Sequence, residues 1–261
     1  MSAGGDAIIR ATRSISDGAL RVAYLLDLLR ELPLPELARA LDDVCARAEQ
    51  AEEAAKETLV ALVDALNALT PGERLQHLRE EAAGESLLAL DRLIRHPAGA
   101  HRGSLLPADP NEDRVPDYGK GRPLTLGERK ALARRPDRET MQRLLLDPHP
   151  DVIRALLVSA RVTEEDVVRL ASKRPCRPDV LSEIARATRW VHRARVRLAL
   201  VLNPDTPPEI ALGIAGLLMR QELKLVVEAT QVAPAVRAVC LEHLERRPPV
   251  EAAEDAAERV H

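Results

Sequence analysis

The stretch RVRLALVLNPDTPPEIALGIAGLL, residues 195–218, joins two apolar runs through a short polar break that contains three prolines. Proline inside a helix removes a hydrogen bond and clashes with the preceding turn, but it is tolerated in the first turn. Pro204 therefore ends the first helix. Thr206, with Glu209 three residues later, has the spacing of an N-terminal cap for the second helix. The stretch predicts two short helices that meet at a fixed corner.

Related breaks recur through the second half of the chain. They lie in segments that begin at Leu132 (LARRPDRETMQRLL), Leu156 (LLVSARVTEEDVVRLA) and Val227 (VEATQVAPAVRAVCL). The equivalent positions 136, 160, 204 and 231 are 24, 44 and 27 residues apart, and the longest interval holds an additional short helix near 177–187. Further helix caps are predicted at Thr125, Asp137, Asp147 and Thr163. Because a short helix cannot bury its apolar side alone, this repetition predicts a short-helix α-solenoid.

This part of the chain, about residues 125–246, resembles the leucine-rich-repeat variant, a bacterial relative of the HEAT-type helical repeats. The resemblance is carried by Val196-Arg197, Asn203-Pro204 and Thr206-Pro207, and more loosely by Asp151-Val152, Arg154 and Thr163. It implies a superhelix of short helices that offers a surface for interaction. One described type of member also holds an iron–sulfur cluster through clustered N-terminal cysteines. Since Cys45 is the only cysteine in the first third of this chain, we expect no such cofactor.

The first 95 residues contain longer apolar periodicities. They predict a helix over 15–30, and then one long helix or two with a frayed joint over 35–69. Thr70-Pro71-Gly72-Glu73 has the form of a capping box and predicts a further helix to about Arg95. We therefore predict an all-α chain, in which an N-terminal helical hairpin or bundle at 1–95 is followed by the solenoid at 125–247. Residues 96–124 lose the periodicity and are interpreted as a linker or strap, and 248–261 as a tail.

Motifs of catalysis and cofactor binding do not occur in the sequence. It contains neither a G-x-S-x-G nucleophile elbow nor a phosphate-binding glycine loop. Three widely spaced cysteines fit buried thiols in a reducing cytoplasm, and no apolar run is long enough to span a membrane. Cys240 and His243 share a helical face without further metal ligands, so we interpret them as a core cysteine beside a surface histidine. We expect a cytoplasmic protein that is not an enzyme.

Charge is distributed unevenly along the chain. The net charge is −6 over residues 1–95 and +9 over 120–201, within a total of −3. Six arginines of the basic region stand out: Arg154, Arg161, Arg186, Arg189, Arg193 and Arg197. The last four are spaced by three, four and four residues, so a continuous helix would place them on one face. We predict that these six arginines bind a partner.

Three interpretations of the six arginines remain open. In the first, the arginines have no partner role: they form a solvated face, or bond to corner carbonyls and to cap carboxylates such as Asp205. Alternatively, they form a groove for a partner protein with an acidic surface, or bind the phosphate backbone of a nucleic acid across 150–200. The chain has no phenylalanine, one tryptophan and two tyrosines, and this shortage of stacking rings disfavours nucleic acid. The sequence therefore predicts a protein–protein interaction scaffold, with nucleic-acid binding as the alternative.

The N-terminal module carries more apolar surface than a hairpin can bury, notably over Leu59 to Leu69. Exposed apolar surface of this kind favours contact with another folded element. We expect the module either to self-associate with a second chain or to pack against the solenoid.

The fold prediction has a direct test. Far-ultraviolet circular dichroism of the full chain is expected to show helix and no strand, because helical apolar spacing and cap signals recur while alternating β-branched patterns do not. Substantial strand content would contradict the all-α prediction.

Overall fold

A computed structural model of the chain describes residues 3–69, 72–95 and 115–246. Over these ranges the chain forms sixteen α-helices, and no strand occurs among them. The all-α prediction is thereby confirmed. The helices form an N-terminal bundle (residues 3–94) and a C-terminal stack of shorter helices (residues 126–246), each with its own apolar core.

The bundle is built around its third helix. Its helices are α1 (Ala3–Ser14), α2 (Gly18–Glu31), α3 (Leu34–Glu49), α4 (Glu53–Leu69), α5 (Glu73–Gly84) and α6 (Leu88–Ile94). Helix α3 packs against α1, α4, α5 and α6, and its Leu37, Leu41 and Val44 are fully buried. Full burial of such a side chain stabilises the fold by about 1.5–3 kcal/mol. These three residues therefore hold the bundle together from its centre.

Two predicted helical regions of the bundle each form two helices separated by a tight turn, so the two-helix alternative for 35–69 is the one observed. The region 35–69 forms two helices, α3 and α4, and Ala51 between them has a positive φ of 68°. The helix predicted to reach Arg95 is also two helices, because the chain turns at Ser86, where φ is 56°. Helix α5 begins at Glu73 with Gly72 as its cap residue. Thr70 and Pro71 of the predicted capping box lie outside the described residues.

Helix α1, which the apolar spacing of the sequence does not reveal, approaches α3 closely at two glycines. A Cβ on Gly4 would lie 2.9 Å from the Cβ of Ala40, and a Cβ on Gly5 would lie 2.8 Å from the Cβ of Asp43. Both distances are shorter than real Cβ contacts allow. Glycine destabilises a helix relative to alanine, but at these two positions any side chain would force the helices apart.

The stack consists of five consecutive helix pairs in the described part of the chain. They are α7 (Leu126–Arg134) with α8 (Arg138–Leu144), α9 (Pro150–Leu157) with α10 (Glu164–Ser172), α11 (Pro178–Arg186) with α12 (Thr188–Val191), α13 (Ala194–Leu202) with α14 (Pro208–Ala215), and α15 (Arg220–Glu228) with α16 (Pro234–Arg246). The first helices of successive pairs pack on one another, α7 on α9 and α9 on α11. Each short helix thus buries its apolar side against the neighbouring pairs.

The long interval in the repeat spacing contains a complete additional pair, α11 and α12. Its first helix confirms the short helix predicted near 177–187 and repeats the pattern of α9. The sequences are HPDVIRALL at 149–157 and RPDVLSEIA at 177–185, and the valines of both, Val152 and Val180, are buried. Its second helix is a single turn, so α10 packs against α13. The 44-residue interval is therefore long because it contains this additional pair, and it is shorter than two ordinary intervals because α12 is a single turn.

Most of the predicted caps are present. Thr125 and Thr163 each form a capping box with the acidic residue three positions later, and the Asp137 carboxylate accepts a hydrogen bond from the backbone nitrogen of Thr140 at 2.6 Å. The cap predicted at Asp147 is wrong, because His149 occupies the cap position of α9. Asp147 is instead a buried acceptor. Its carboxylate receives hydrogen bonds from the guanidinium of Arg129, the hydroxyl of Tyr118 and the backbone nitrogen of His149.

The cap predicted at Thr206 is also wrong. Helix α14 begins at Pro208, and Pro207 occupies its cap position without a side-chain hydrogen bond. The Thr206 hydroxyl lies one residue too early and donates to the carbonyl oxygen of Leu200 at 2.6 Å. The consecutive prolines shift the helix start, and Thr206 closes the end of α13 rather than the start of α14.

The corner between α13 and α14 is locked by a buried amide. Asn203 donates from Nδ2 to the carbonyl oxygens of Ala171 at 2.7 Å and Lys173 at 2.9 Å, which belong to the end of α10. Its Oδ1 accepts from the backbone nitrogen of Asp205, whose own carboxylate accepts from the backbone nitrogen of Cys176. The Asn-Pro corner therefore joins two pairs that are about thirty residues apart in sequence.

The end of the predicted linker lies on the stack. Residues 96–114 and 247–261, which include most of that linker and the whole predicted tail, fall outside the described residues. Within the remainder, Val115 packs against the core of the stack, and buried Tyr118 donates to Asp147 at 2.6 Å. Gly119 and Gly121, both with φ of 69°, then turn the chain toward α7. Residues 115–124 are thus anchored to the first two helix pairs.

The bundle packs against the stack, as one of the two alternatives for its apolar surface predicts. Helices α4 and α6 contact α14, and α4 also contacts α11. The contact is close at Gly213 and Gly216, where an added Cβ would touch Val63, Leu93 and Leu59 of the bundle. Arg95 also bonds to Glu242 of α16 at 3.2 Å. Much of the apolar surface of α4 is therefore covered within the chain.

Replacing the buried amide tests the corner. Asn203→Asp keeps the acceptor for Asp205 but turns a carboxylate toward two carbonyl oxygens, so we expect a loss of about 3 kcal/mol of unfolding free energy at neutral pH. Burial raises the folded-state pKa of the introduced carboxyl group above its unfolded value, so the loss should shrink as the pH falls through the raised pKa and level off below the unfolded pKa. Urea unfolding at several pH values measures both effects.

The matched control for this variant is Gln142→Glu, which makes the same chemical change at an exposed position beside Arg169. Its unfolding free energy should stay within about 0.5 kcal/mol of the wild type. Equal behaviour of the two variants would show that Asn203 does not hold the corner.

Candidate partner-binding groove

The four arginines at 186, 189, 193 and 197 do not form one stripe, because the helix that would carry them is not continuous. Helix α11 ends at Arg186, the single turn α12 carries Arg189, and Arg193 precedes α13, which carries Arg197. The backbone leaves the helical conformation at Ala187, with ψ of 89°, and again at Arg193, with ψ of 122°. The single helical face expected from the spacing is therefore wrong.

Three of the six predicted arginines nevertheless come together around one groove. Arg154 of α9, Arg186 of α11 and Arg189 of α12 line a depression of about 570 Å³. Its remaining lining is mainly apolar and comprises Leu157, Val158, Ala187, Thr188 and Trp190, together with Glu183. Within this lining, Val158 is 79% exposed, whereas Leu157 and Trp190 are buried. The groove thus combines one exposed apolar side chain, Val158, with a basic rim, and we call it the arginine groove.

A buried carboxylate organises the rim of the arginine groove. Glu183 accepts two hydrogen bonds from Arg154, from Nε to Oε2 and from Nη2 to Oε1, both at 2.7 Å. It accepts a third from Nη1 of Arg186 at 3.2 Å. The hydrogen bonds to Glu183 raise the pKa of the Arg154 guanidinium above its ordinary value. One carboxylate therefore positions two guanidinium groups, and the lining keeps a net positive charge because it holds three arginines against Glu183.

The other side of the groove is formed by a tryptophan and the arginine before it. The Arg189 guanidinium lies 4.4 Å from the ring centroid of Trp190, a distance typical of a cation–π contact. The indole N–H of Trp190 donates to the carbonyl oxygen of Leu157 at 2.8 Å, which fixes the ring against α9. Arg189 also donates to the carbonyl oxygen of Ser159 at 3.4 Å. These contacts hold the single-turn helix α12 against α9.

The other three predicted arginines lie outside the groove lining. Arg161 donates to the carbonyl oxygen of Pro136 at 2.7 Å, and Arg197 donates to those of Val191 and His192 at 3.3 and 3.0 Å. Burial lowers the pKa of Arg197 below its ordinary value. These two arginines bond to corner carbonyls, as one of the open interpretations proposes. Asp205, which that interpretation names as an arginine partner, accepts a backbone N–H instead. Arg193 is exposed, and its side chain makes no hydrogen bond to the described residues.

Two groove residues with decisive roles, Glu183 and Val158, are not evident from the sequence. In the sequence, Glu183 is not distinguished from the other acidic residues. Only the fold brings it beside Arg154, 29 residues earlier. The alignment of HPDVIRALL with RPDVLSEIA carries a usable signal, because it places Glu183 within one position of the residue equivalent to Arg154. Val158 ends α9 and has no distinguishing neighbour in sequence.

The remaining candidate chemistry is limited. Cys45, Cys176 and Cys240 are buried thiols, and burial raises the pKa of Cys176 to about 12. His243, expected at the surface beside Cys240, is instead buried, because the bundle covers this side of α16 and Glu49 approaches its ring. Across the described ranges, no three histidine, cysteine or acidic side chains are grouped so that they could hold a metal ion. None of the described helices has the length and apolar character needed to cross a bilayer.

The contrast between Arg193 and Arg197 can be measured. Arg197→Glu turns a carboxylate toward two carbonyl oxygens and is expected to cost about 2–4 kcal/mol of unfolding free energy. Arg193→Glu, four residues earlier and exposed, should change it by no more than about 0.5 kcal/mol. Urea unfolding of both variants provides the comparison, and equal midpoints would mean that Arg197 does not hold the corner.

Comparison of this chain with protein-family models, with curated proteins and with solved structures gives no match. The likeness to the leucine-rich-repeat variant therefore rests on the quoted residues, of which Asn203 and Thr206 occupy buried corner positions. The arginine groove is the feature of the structure that bears on function.

Proposed function

We propose that this protein is a non-catalytic scaffold of the cytoplasm, an α-solenoid of the HEAT-like type that binds another protein through the arginine groove. The observation that carries the proposal is the exposure of Val158, at 79%, between ordered arginine side chains. A partner that covers Val158 gains apolar burial and meets charged groups that are already held in place.

The composition of the groove supports a protein partner. Arginine is among the residue types that most often dominate the binding energy of protein interfaces, whereas the buried Trp190 belongs to the frame that holds the groove. Here Arg154 and Arg186 are positioned by Glu183, and Trp190 is fixed to α9 through its indole N–H. Less side-chain freedom is then lost on binding, which favours affinity. The stack supplies the rigid frame on which these residues are mounted.

Nucleic-acid binding across 150–200 is the alternative, favoured by the net charge of +9 over 120–201. Two contacts disfavour it. The face of Trp190 is covered by Arg189, so the ring offers no platform for a base, and Glu183 places a negative charge within the rim. In addition, Arg161 and Arg197 are engaged by backbone carbonyls and do not form a continuous track for phosphates.

The bundle has a structural role in this proposal. Its apolar helix α4 is covered by the stack, so self-association through 1–95 is not needed to bury it. We assign the bundle the task of bracing α11 and α14, and we assign partner binding to the stack.

A charge-removal pair tests the function. Arg186→Gln/Arg189→Gln should abolish co-purification of protein partners by the full-length chain, because both changes remove charge from the groove without burying a new one. Arg169→Gln/Arg195→Gln removes the same charge from exposed arginines that pair with Gln142 and Glu165 outside the groove, and it should retain the partners. The measurement is quantitative mass spectrometry of captured proteins.

A salt-titrated DNA-binding assay on the same variants distinguishes nucleic-acid binding from protein binding. Loss of protein partners by the groove variant alone supports the scaffold. Loss of salt-sensitive DNA binding supports the nucleic-acid reading instead. Unchanged capture and unchanged DNA binding in a folded groove variant would contradict both.

A further inference from the structure

We propose that the arginine groove binds an acidic linear peptide, in which carboxylates pair with Arg186 and Arg189 while an aliphatic side chain of the peptide covers Val158. This inference rests on the proposed function and specifies the chemistry of the partner. It follows from the number of N–H donors that each of the three rim arginines still has available, and from the shape and polarity of the space between them.

The rim arginines differ in how many of their donors are engaged. Arg154 forms a two-point pair with Glu183 and a further contact with Asp151 at 3.0 Å. Arg186 gives a single hydrogen bond to Glu183, and Arg189 gives a single long one to a backbone carbonyl. A guanidinium carries five N–H donors in a planar fork. Most donors of Arg186 and Arg189 are therefore available to a ligand, and their fork geometry matches carboxylates.

Arg154 and Glu183 together act as a positioning pair. Because Glu183 is buried and bonded to Arg154 on two atoms, its carboxylate stays in place and draws Arg186 to the rim. A second carboxylate, from a ligand, would meet Arg186 on the donors that face away from Glu183. This arrangement leaves room for a carboxylate side chain of an acidic peptide at Arg186.

The apolar part of the groove selects the neighbouring side chain. Val158 is largely exposed and Ala187 is half-buried in the lining, whereas Leu157 is buried beneath it. A volume of about 570 Å³ falls within the range of about 300–1,000 Å³ that is typical of ligand sites. This space accommodates one or two side chains of an extended segment but not a folded domain. A peptide with an aliphatic residue next to acidic ones can therefore contact both Val158 and the arginines of the rim.

A peptide is favoured over a phosphate backbone by the same contacts. Arg161 and Arg197 are engaged by backbone carbonyls, so no track for successive phosphates extends from the groove. The Trp190 face is occupied by Arg189, which removes the stacking surface that single-stranded nucleic acids use.

Trp190 provides the measurement, since it is the only tryptophan in the chain. The probes are three end-blocked pentapeptides, Glu-Glu-Leu-Glu-Glu, Gln-Gln-Leu-Gln-Gln and Glu-Glu-Ala-Glu-Glu, titrated into the full-length protein. We expect the first to change Trp190 fluorescence in a salt-sensitive manner and the second to cause no change. The third should bind about tenfold more weakly, because less apolar surface is buried.

Calorimetric titration of the same peptides with variants locates the contacts. Arg186→Gln should weaken binding of the leucine peptide at least tenfold, while Arg195→Gln, outside the groove, should leave it unchanged. In Val158→Asn the leucine and alanine peptides should bind alike, since coupling between two contacting groups disappears when either is removed. Thermal unfolding of each variant checks that the fold is retained.

Three results would overturn the inference. They are equal binding of the acidic and neutral peptides, no binding of the acidic peptides at their solubility limit, and tighter binding of single-stranded DNA than of the peptides at equal salt. If the peptides fail while the groove variant still loses its captured partners, the scaffold stands and only the peptide inference falls. If capture is also unaffected, the proposed function falls with it.

Discussion

Unpaired carbonyl groups at the ends of short helices are the constraint on which the stack depends. The last four carbonyls of any helix have no partner within it, so a helix of eight or nine residues leaves about half of its carbonyls to be satisfied elsewhere. Side chains from other helices supply the donors. Asn203 donates to carbonyls at the end of α10. Arginines donate to carbonyls at the ends of other helices, with donor and acceptor pairs Arg174 to Leu202, Arg197 to His192 and Arg220 to Leu244, and Arg161 donates to Pro136 in the loop after α7.

Because of this constraint, the positive charge in the middle of the chain has a largely structural role. A net charge of +9 over 120–201 suggests a broad binding surface, yet much of it is engaged in closing helix ends and in ion pairs. Arg195, for example, pairs with Glu165 at 2.9 Å. Arginine suits this work because its planar fork reaches carbonyls from outside a helix and keeps its charge when partly buried. In the proposed function, the binding surface is therefore set by the few arginines that keep unused donors, not by the density of charge.

Features that depend on a few neighbouring residues could be predicted from the sequence, and features that depend on distant partners could not. The capping boxes at Thr125 and Thr163 are local, so their spacing sufficed. Thr206 has the same spacing, but the two prolines after it shift the start of α14, and its hydroxyl turns to Leu200. The arginines of the groove were among those predicted, whereas Glu183 was not, because its meeting with Arg154 requires α9 and α11 to pack in one register.

The bundle bears on the groove because the groove depends on α12, a helix of four residues that cannot hold its shape alone. Its tryptophan is tied to α9, and at its other end His192 Nε2 lies 3.1 Å from Asp64 Oδ2 of α4, whose side chain is buried. Helix α4 also packs on α11, which carries Glu183 and Arg186. The bundle is itself fixed by the ion pair of Arg92 with Glu49, at 2.6 Å and largely buried. Bracing by the bundle thus holds one wall of the groove in place, and under the proposed function the cost of ordering that wall would not fall on binding.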